Sequence, residues 1–212
     1  IMRSVEYYEK ILPGLGVKVE LNHTASPADL NAADAAIVAV GAHDVVIPVP
    51  GADSEKVVSS WDVLAGKAEL TGRVAVIGGG LVGTETAEYL LQNGCEVAIV
   101  EMLDKIAAGE SETILPLIMN DFAAHNVEQH VKTRLTAVTD EGVEAVRTTE
   151  DGAEEPVKIA CDYVVMAVGS KANAFDLEGV TVPVTCVGDC SGERTADIAS
   201  AIRTAYHAAN EL

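Results

Sequence analysis

The 212-residue chain carries 33 acidic against 14 basic side chains, for a formal charge of −19, and 49% of its residues are hydrophobic. A surface this acidic argues against nucleic acid or an anionic membrane as partner, since both need clustered Lys and Arg. No apolar run approaches the roughly 18 residues of a membrane span, and the start lacks a leader pattern, so a cytoplasmic home is expected. With two Phe and one Trp, the core must be built from Ala, Val, Ile and Leu, which suits parallel strands covered by helices in one large or two small domains.

In chain order, residues 3–12 have Val5, Tyr8, Ile11 and Leu12 spaced for one buried helical face, ended by Pro13-Gly14. A strand is expected over 17–21. The run from Asp34 through Val40 to Gly41-Ala42 reads as a fully buried parallel strand. Pro and Gly at 48–51 mark a turn-rich crossing, and 60–64 a short helix.

Residues 74–101 carry the strongest signal. The apolar strand Val74–Ile77 is followed by Gly78-Gly79-Gly80-Leu81-Val82-Gly83, then a helix ending at Asn93-Gly94, then a second strand closing on Glu101. G-x-G-x-x-G in this setting is the dinucleotide-binding βαβ unit. Gly78 turns the chain, Gly80 leaves room for a pyrophosphate, and Gly83 allows close helix–strand packing. Gly79, Leu81 and Val82 complete the loop, and the N–H groups of the helix start receive the phosphates. Glu101, 18 residues after Gly83, can accept hydrogen bonds from ribose hydroxyls and repel a 2′-phosphate, which favours NADH over NADPH.

A helix over 112–125 capped by Ser111 comes next. Residues 131–160, with Gly142 and Gly152 in turns, form an antiparallel meander. A parallel strand at 162–170 ends Ala-Val-Gly169-Ser170 and repeats the pattern of 34–42. A short strand from Val184 ends in Gly188-Asp189, and a helix over about 195–211 places Ile198, Ala201, Ile202, Ala205 and Ala208 on a narrow packing face. Cys95, Cys161, Cys186 and Cys190 have neither redox-dithiol nor zinc spacing, and are read as buried thiols. The histidines, including His125 and His130, do not line up for a metal.

The fingerprint, the doubled Ala-Val-Gly strands and Gly188-Asp189, in that order, resemble the flavoproteins with two dinucleotide-binding domains. Within them the chain is most similar to NADH:flavin oxidoreductases of the 2,4-dienoyl-CoA reductase and 2-enoate reductase type. The resemblance implies an α/β fold in which a Rossmann-like NAD(P)-binding domain, a parallel sheet plus an antiparallel β-meander, is inserted into a partial FAD-binding domain. The segments are then 1–71 and 162–212 for the FAD domain and 72–161 for NADH. It implies that Asp189 meets the ribityl chain of FAD, or else caps its turn; that Gly41 and Gly169 let backbone approach a dinucleotide, or merely end strands; and that Glu85 lies near the nicotinamide, or is an ordinary exposed carboxylate.

The family's first FAD strand and its own G-x-G-x-x-G have no counterpart before Gly78, and the chain starts at Ile1. It is therefore expected to be a fragment. An FMN barrel and an iron–sulfur site, which the resemblance would place upstream, cannot be read from it. The function expected is an NADH-binding electron-entry module of a flavin-dependent oxidoreductase, inactive alone, with no catalytic residue of its own and partnered by the remainder of its own polypeptide. A non-catalytic NADH-binding regulatory module and a simple ferredoxin or disulfide reductase are the alternatives. Substrate, electron acceptor and oligomeric state are not encoded in these features.

Overall fold

The computed structural model describes residues 2–192 and 197–212. Up to Val40 the chain forms helices α1 (Met2–Ile11) and α2 (Pro27–Asn31) and strand β1 (Ala36–Val38). Residues 41–173 form β2 (Ala42–Asp44), β3 (Val57–Ser59), α3 (Ser60–Leu64), β4 (Arg73–Ile77), α4 (Leu81–Gln92), β5 (Glu96–Val100) and α5 (Leu115–Ala124). They continue with β6 (Glu128–His130), β7 (Thr133–Thr139), β8 (Gly142–Thr148), β9 (Glu154–Ala160), β10 (Tyr163–Met166) and β11 (Ser170–Ala172). Strand β12 (Val184–Cys186) and helix α6 (Ile198–Asn210) close the chain.

Two compact units result, Gly41–Asn173 in one, and the chain up to Val40 with Ala174–Leu212 in the other. Beyond the expected 72–161, the larger unit takes in β3 and β10, which pair in its sheet, and α3, whose Val63 packs on it. That sheet is five-stranded and parallel, in the order β3-β10-β4-β5-β6. Its two faces explain the apolar runs. Val74, Val76, Val97, Ile99 and Val165 point to the helices and meet Ala87, Leu90, Ile118 and Phe122. Ala75, Ile77, Ala98, Val100, Val164 and Met166 alternate with them and meet Leu135, Val138, Val143 and Ile159 of the antiparallel meander β7-β8-β9. A strand covered on both faces must be apolar at every position, at about 1.5–3 kcal/mol for each fully buried large side chain.

Lys56 pins the meander. Its ammonium donates to the carbonyls of Asp140 at 2.7 Å, Cys161 at 3.1 Å and Thr139 at 3.3 Å, so all three of its donors are used. Pro50 adds a second tie, its carbonyl accepting from the Val138 N–H at 2.8 Å.

In the smaller unit β1 and β12 pair in parallel, and several expectations fail. Residues 17–21 form no strand, and Val17, Val19 and Leu21 are exposed; the Val17 N–H closes back on the Leu12 carbonyl at 3.1 Å, and among the described residues no strand pairs with 17–21 to hold them extended. Helix α1 forms, but Val5 and Tyr8 are exposed. Among the described residues strand β1 has one strand neighbour, and Val38 is buried while Ile37 is exposed. Helix α6 buries Ala208 and leaves Ile198 and Ile202 exposed; Ala201 lies 3.7 Å from where a Cβ of Gly188 would stand. Its expected first turn at 195 lies outside the described residues. Helix α5 begins at Leu115 and not at 112, because Pro116 is harmless only in a first turn. Ser111 instead accepts from the Ile114 N–H at 3.2 Å, one turn earlier.

Lys56→Met, which keeps the stem and removes the three donors, is expected to destabilise the unit by about 1–3 kcal/mol. Urea unfolding monitored by circular dichroism measures it, and an unchanged midpoint would remove Lys56 from the structure's supports.

Candidate functional site

Strand β4 is flanked by β5 on one side and β10 on the other, so the chain reverses its direction of travel across the sheet there. In open α/β sheets such a switch point, at the carboxyl ends of the strands, is where a ligand crevice opens. The fingerprint loop lies there. The Gly78 N–H donates to the Val100 carbonyl at 2.8 Å and the Ala167 N–H to the Ile77 carbonyl at 2.8 Å. A Cβ on Gly78 would collide with the Ala167 carbonyl, and one on Gly83 with the Gly78 carbonyl. Both glycines are therefore required by packing.

Gly79 is buried and fully engaged. Its N–H donates to Glu101 Oε2 at 2.6 Å, and its carbonyl accepts from the Ala107 N–H at 2.6 Å. Glu101 Oε1 accepts from the Leu103 N–H at 2.7 Å. Glu101 is only 7% exposed, yet each carboxylate oxygen keeps a second lone pair for a further donor. Gly79 is thus a structural member of the loop whose N–H is already taken.

Gly80 differs from its neighbours, with nothing within 4 Å of where its Cβ would stand. It is the N-cap of α4 and supplies no side-chain cap. The first helical bond is Thr84 N–H to the Gly80 carbonyl at 2.9 Å, so the N–H groups of Leu81, Val82 and Gly83 have no partner within the helix. The side chains of Leu81 and Val82 are about two-fifths exposed, and Glu85, one turn on, is exposed. The open space, the helix dipole and the adjacent carboxylate fit a dinucleotide with its pyrophosphate over Gly80 and its ribose toward Glu101.

Gly41 and Gly169 bracket an antiparallel ribbon, β2 with β11. Their carbonyls accept from the Asn173 and Val45 N–H groups at 3.0 and 3.1 Å. Both adopt positive φ, +69° and +103°, with open space around a Cβ. The repeated Ala-Val-Gly thus has a backbone cause, the turn from a parallel strand into the ribbon. Gly188 and Asp189 belong to the smaller unit and start a single 3-10 turn, Gly188–Ser191, in which the Gly188 N–H donates to Thr204 Oγ1 at 2.9 Å. Sequence reading misses Ile106 and Ala107, both buried and meeting the fingerprint at Gly79; their signal is an apolar Ile-Ala-Ala directly after the charged Asp104-Lys105.

With this geometry in place, the family model of the pyridine nucleotide-disulphide oxidoreductases matches residues 6–205. The chain belongs to that family. It is 43% identical over 215 residues to the bilirubin reductase of Mediterraneibacter gnavus (strain CC55_001C), covering 99% of this chain and 33% of that protein. It is 31% identical to the cinnamate reductase of Clostridium sporogenes, covering 98% of this chain and 31% of that one. The solved 2-naphthoyl-CoA reductase complex aligns with a TM-score of 0.80 and 29% identity over 96% of this chain and 31% of its own. The 6-hydroxypseudooxynicotine amine oxidase of Pseudomonas geniculata N1 aligns at 0.81 and 25%, over 97% and 33%. The chain spans about a third of these relatives, and it carries the family's FAD/NAD-binding fold. Its resemblance to the enoate reductase type stands on these reductases.

The family's name invites a look at the thiols, all four of which are free. Burial pushes the Cys95 and Cys161 thiols up from their ordinary value, with Lys56 partly opposing this at Cys161. Cys186 is raised too, by burial and then by its neighbour Cys190. Cys190 donates weakly to the Val38 and Val187 carbonyls, both at 3.2 Å. At Cys95, Cys161 and Cys186 the net push is thus away from the reactive thiolate.

Two outcomes are expected. Gly83→Ala costs about 3 kcal/mol through the enforced clash, whereas Gly80→Ala leaves thermal unfolding unchanged, which differential scanning calorimetry would show. Cys95 and Cys161 react with a thiol reagent at neutral pH only after denaturation; fast native-state reaction of either, followed by peptide mapping, would contradict their burial.

Proposed function

We propose that this chain is the NADH-binding, electron-entry segment of a flavin-dependent oxidoreductase and acts as part of a longer polypeptide. The observation that carries the reading is Gly80. It is the fingerprint glycine with no packing reason to lack a side chain, and it opens an uncapped helix start beside a tethered carboxylate.

When bound, the reduced nicotinamide supplies a hydride for flavin. The chain's own residues then have to hold and orient the donor. The N–H groups of Leu81, Val82 and Gly83, at the positive end of α4, take the pyrophosphate without a cationic side chain. Glu101 accepts from the adenosine ribose hydroxyls and opposes a 2′-phosphate in the same place, which selects NADH. Leu81 and Val82 lend exposed apolar surface at the helix start. In this reading Glu85 would face the nicotinamide, the backbone at Gly41 and Gly169 would let a dinucleotide approach, and Gly188 with Asp189 would hold the ribityl portion of FAD. Hydride transfer depends on juxtaposing two rings more than on a protein acid or base, which agrees with a role in positioning. FMN and an iron–sulfur cluster, if the whole protein has them, belong to sequence outside this chain.

The visible spectrum of the purified full-length protein tests the reading. Flavin bands bleached by NADH are expected, and a colourless protein would overturn it in favour of a regulatory nucleotide-binding module. The chain alone is expected to show no NADH oxidation. Glu101→Ala should weaken NADH and narrow its margin over NADPH by about 1–3 kcal/mol; unchanged discrimination in a fluorescence titration would take Glu101 out of the site.

A further inference from the structure

Glu101 does not stand alone beside the fingerprint. After β5 the chain folds back as a strap, and the strap is tied at each of its turns. The Leu103 N–H reaches Glu101 Oε1 at 2.7 Å, the Leu103 carbonyl accepts from the Lys132 N–H at 2.7 Å, and the Ala107 N–H reaches the Gly79 carbonyl at 2.6 Å. The Gly79 N–H then returns to Glu101 Oε2 at 2.6 Å, which closes a ring. The main chain of Glu101 is held as well, its N–H donating to the His130 carbonyl at 2.9 Å and its carbonyl accepting from the Thr133 N–H at 2.8 Å.

Ile106 fills the middle of this ring. It is 6% exposed, and its Cγ2 methyl lies 2.6 Å from where a Cβ of Gly79 would stand, with its own Cβ at 3.1 Å and the Glu101 Cβ also at 3.1 Å. Ala107, 2% exposed, is held at φ +52°, a left-handed conformation that an alanine keeps only when its surroundings impose it. Met102, Leu103, Asp104 and Lys105 of the same strap are exposed. Ile106 is thus the residue through which the strap bears on Gly79, and Gly79 is what grips the carboxylate.

We propose that Ile106 is a specificity-determining positioning residue: its β-branched methyl, seated on Gly79, holds the Glu101 carboxylate against turning away, and so sets the preference for a ribose bearing a free 2′-hydroxyl over one bearing a 2′-phosphate. The proposal rests on the dinucleotide reading of the site. A carboxylate tethered at both oxygens cannot swing into solvent to escape a 2′-phosphate, so it rejects that ligand by repulsion while accepting from hydroxyls. Loosened, it would do both jobs less well.

The test is titration of NADH and NADPH into the full-length polypeptide by fluorescence, with melting temperatures, for the natural protein and for Ile106→Val, Ile106→Leu, Gly79→Ala and the double variant Gly79→Ala/Ile106→Ala. Valine keeps the β-branch and should match the natural protein. Leucine conserves volume, so the fold is retained, but it lacks the methyl on Gly79, and the NADH-to-NADPH affinity ratio should fall roughly tenfold. Gly79→Ala should lower the ratio similarly, and the double variant should recover part of it, because the new methyl enters the space the old one left. An unchanged ratio in Ile106→Leu, or a double variant no better than Gly79→Ala, would reduce Ile106 to an ordinary core residue and overturn the proposal. Failure of the natural protein to bind either nucleotide would instead overturn the dinucleotide reading, and this proposal with it.

Discussion

The peptide group of Gly79 is spoken for on both sides, its N–H by the Glu101 carboxylate and its carbonyl by the Ala107 N–H. A buried peptide group must find partners, and here they come from the segment that follows the next strand. The ends of β4 and β5 are thereby tied together, while Ala167, just past β10, donates its N–H to the Ile77 carbonyl, an approach for which the missing side chain of Gly78 leaves room. Three strand ends converge on one loop, and that convergence gives helix α4 a fixed starting point. The donors left for a ligand are then those of the first helical turn, aimed away from the tied peptide.

The sheet beneath supports this loop because it is covered twice. One set of alternate side chains packs on α3, α4 and α5, and the other on the meander. Small branched residues fill both interfaces, which is how a chain with so few aromatic residues builds a core. The meander needs its own anchors, since an antiparallel sheet laid on a parallel one shares no ladder with it. Lys56 supplies one through three carbonyls, and Pro50 another through Val138.

Sequence periodicity reaches the larger unit well and the smaller one poorly, for a physical reason. Val74–Ile77, the fingerprint helix, the strand before Glu101 and the meander each satisfy their pattern inside the unit, so pattern and structure agree. Residues 17–21 and the apolar stripes of α1 and α6 also follow a pattern, but burial depends on neighbours that local sequence does not name, and Val19, Tyr8 and Ile202 stay exposed. At the site, glycine spacing and Glu101 are legible because they recur at fixed distances. The strap is not, since Ile106 and Ala107 act by a contact across the loop that no spacing rule describes, and the ribbon β2–β11 forms only when the residues after Gly41 and Gly169 pair.

Separating what the glycines do sharpens the functional reading. A Cβ on Gly78, Gly79 or Gly83 would strike protein atoms, so those positions would be glycine in this fold with or without a ligand. Gly80 has ordinary φ, −71°, and open space around it. A Ser, Thr or Asp there would cap α4 better and would fit. Each would also place an oxygen over the free N–H groups, and Asp would add a negative charge where a pyrophosphate has to come. A glycine that forgoes a stabilising cap in favour of unfilled space at the positive end of a helix is what an anionic ligand approaching close to the backbone requires.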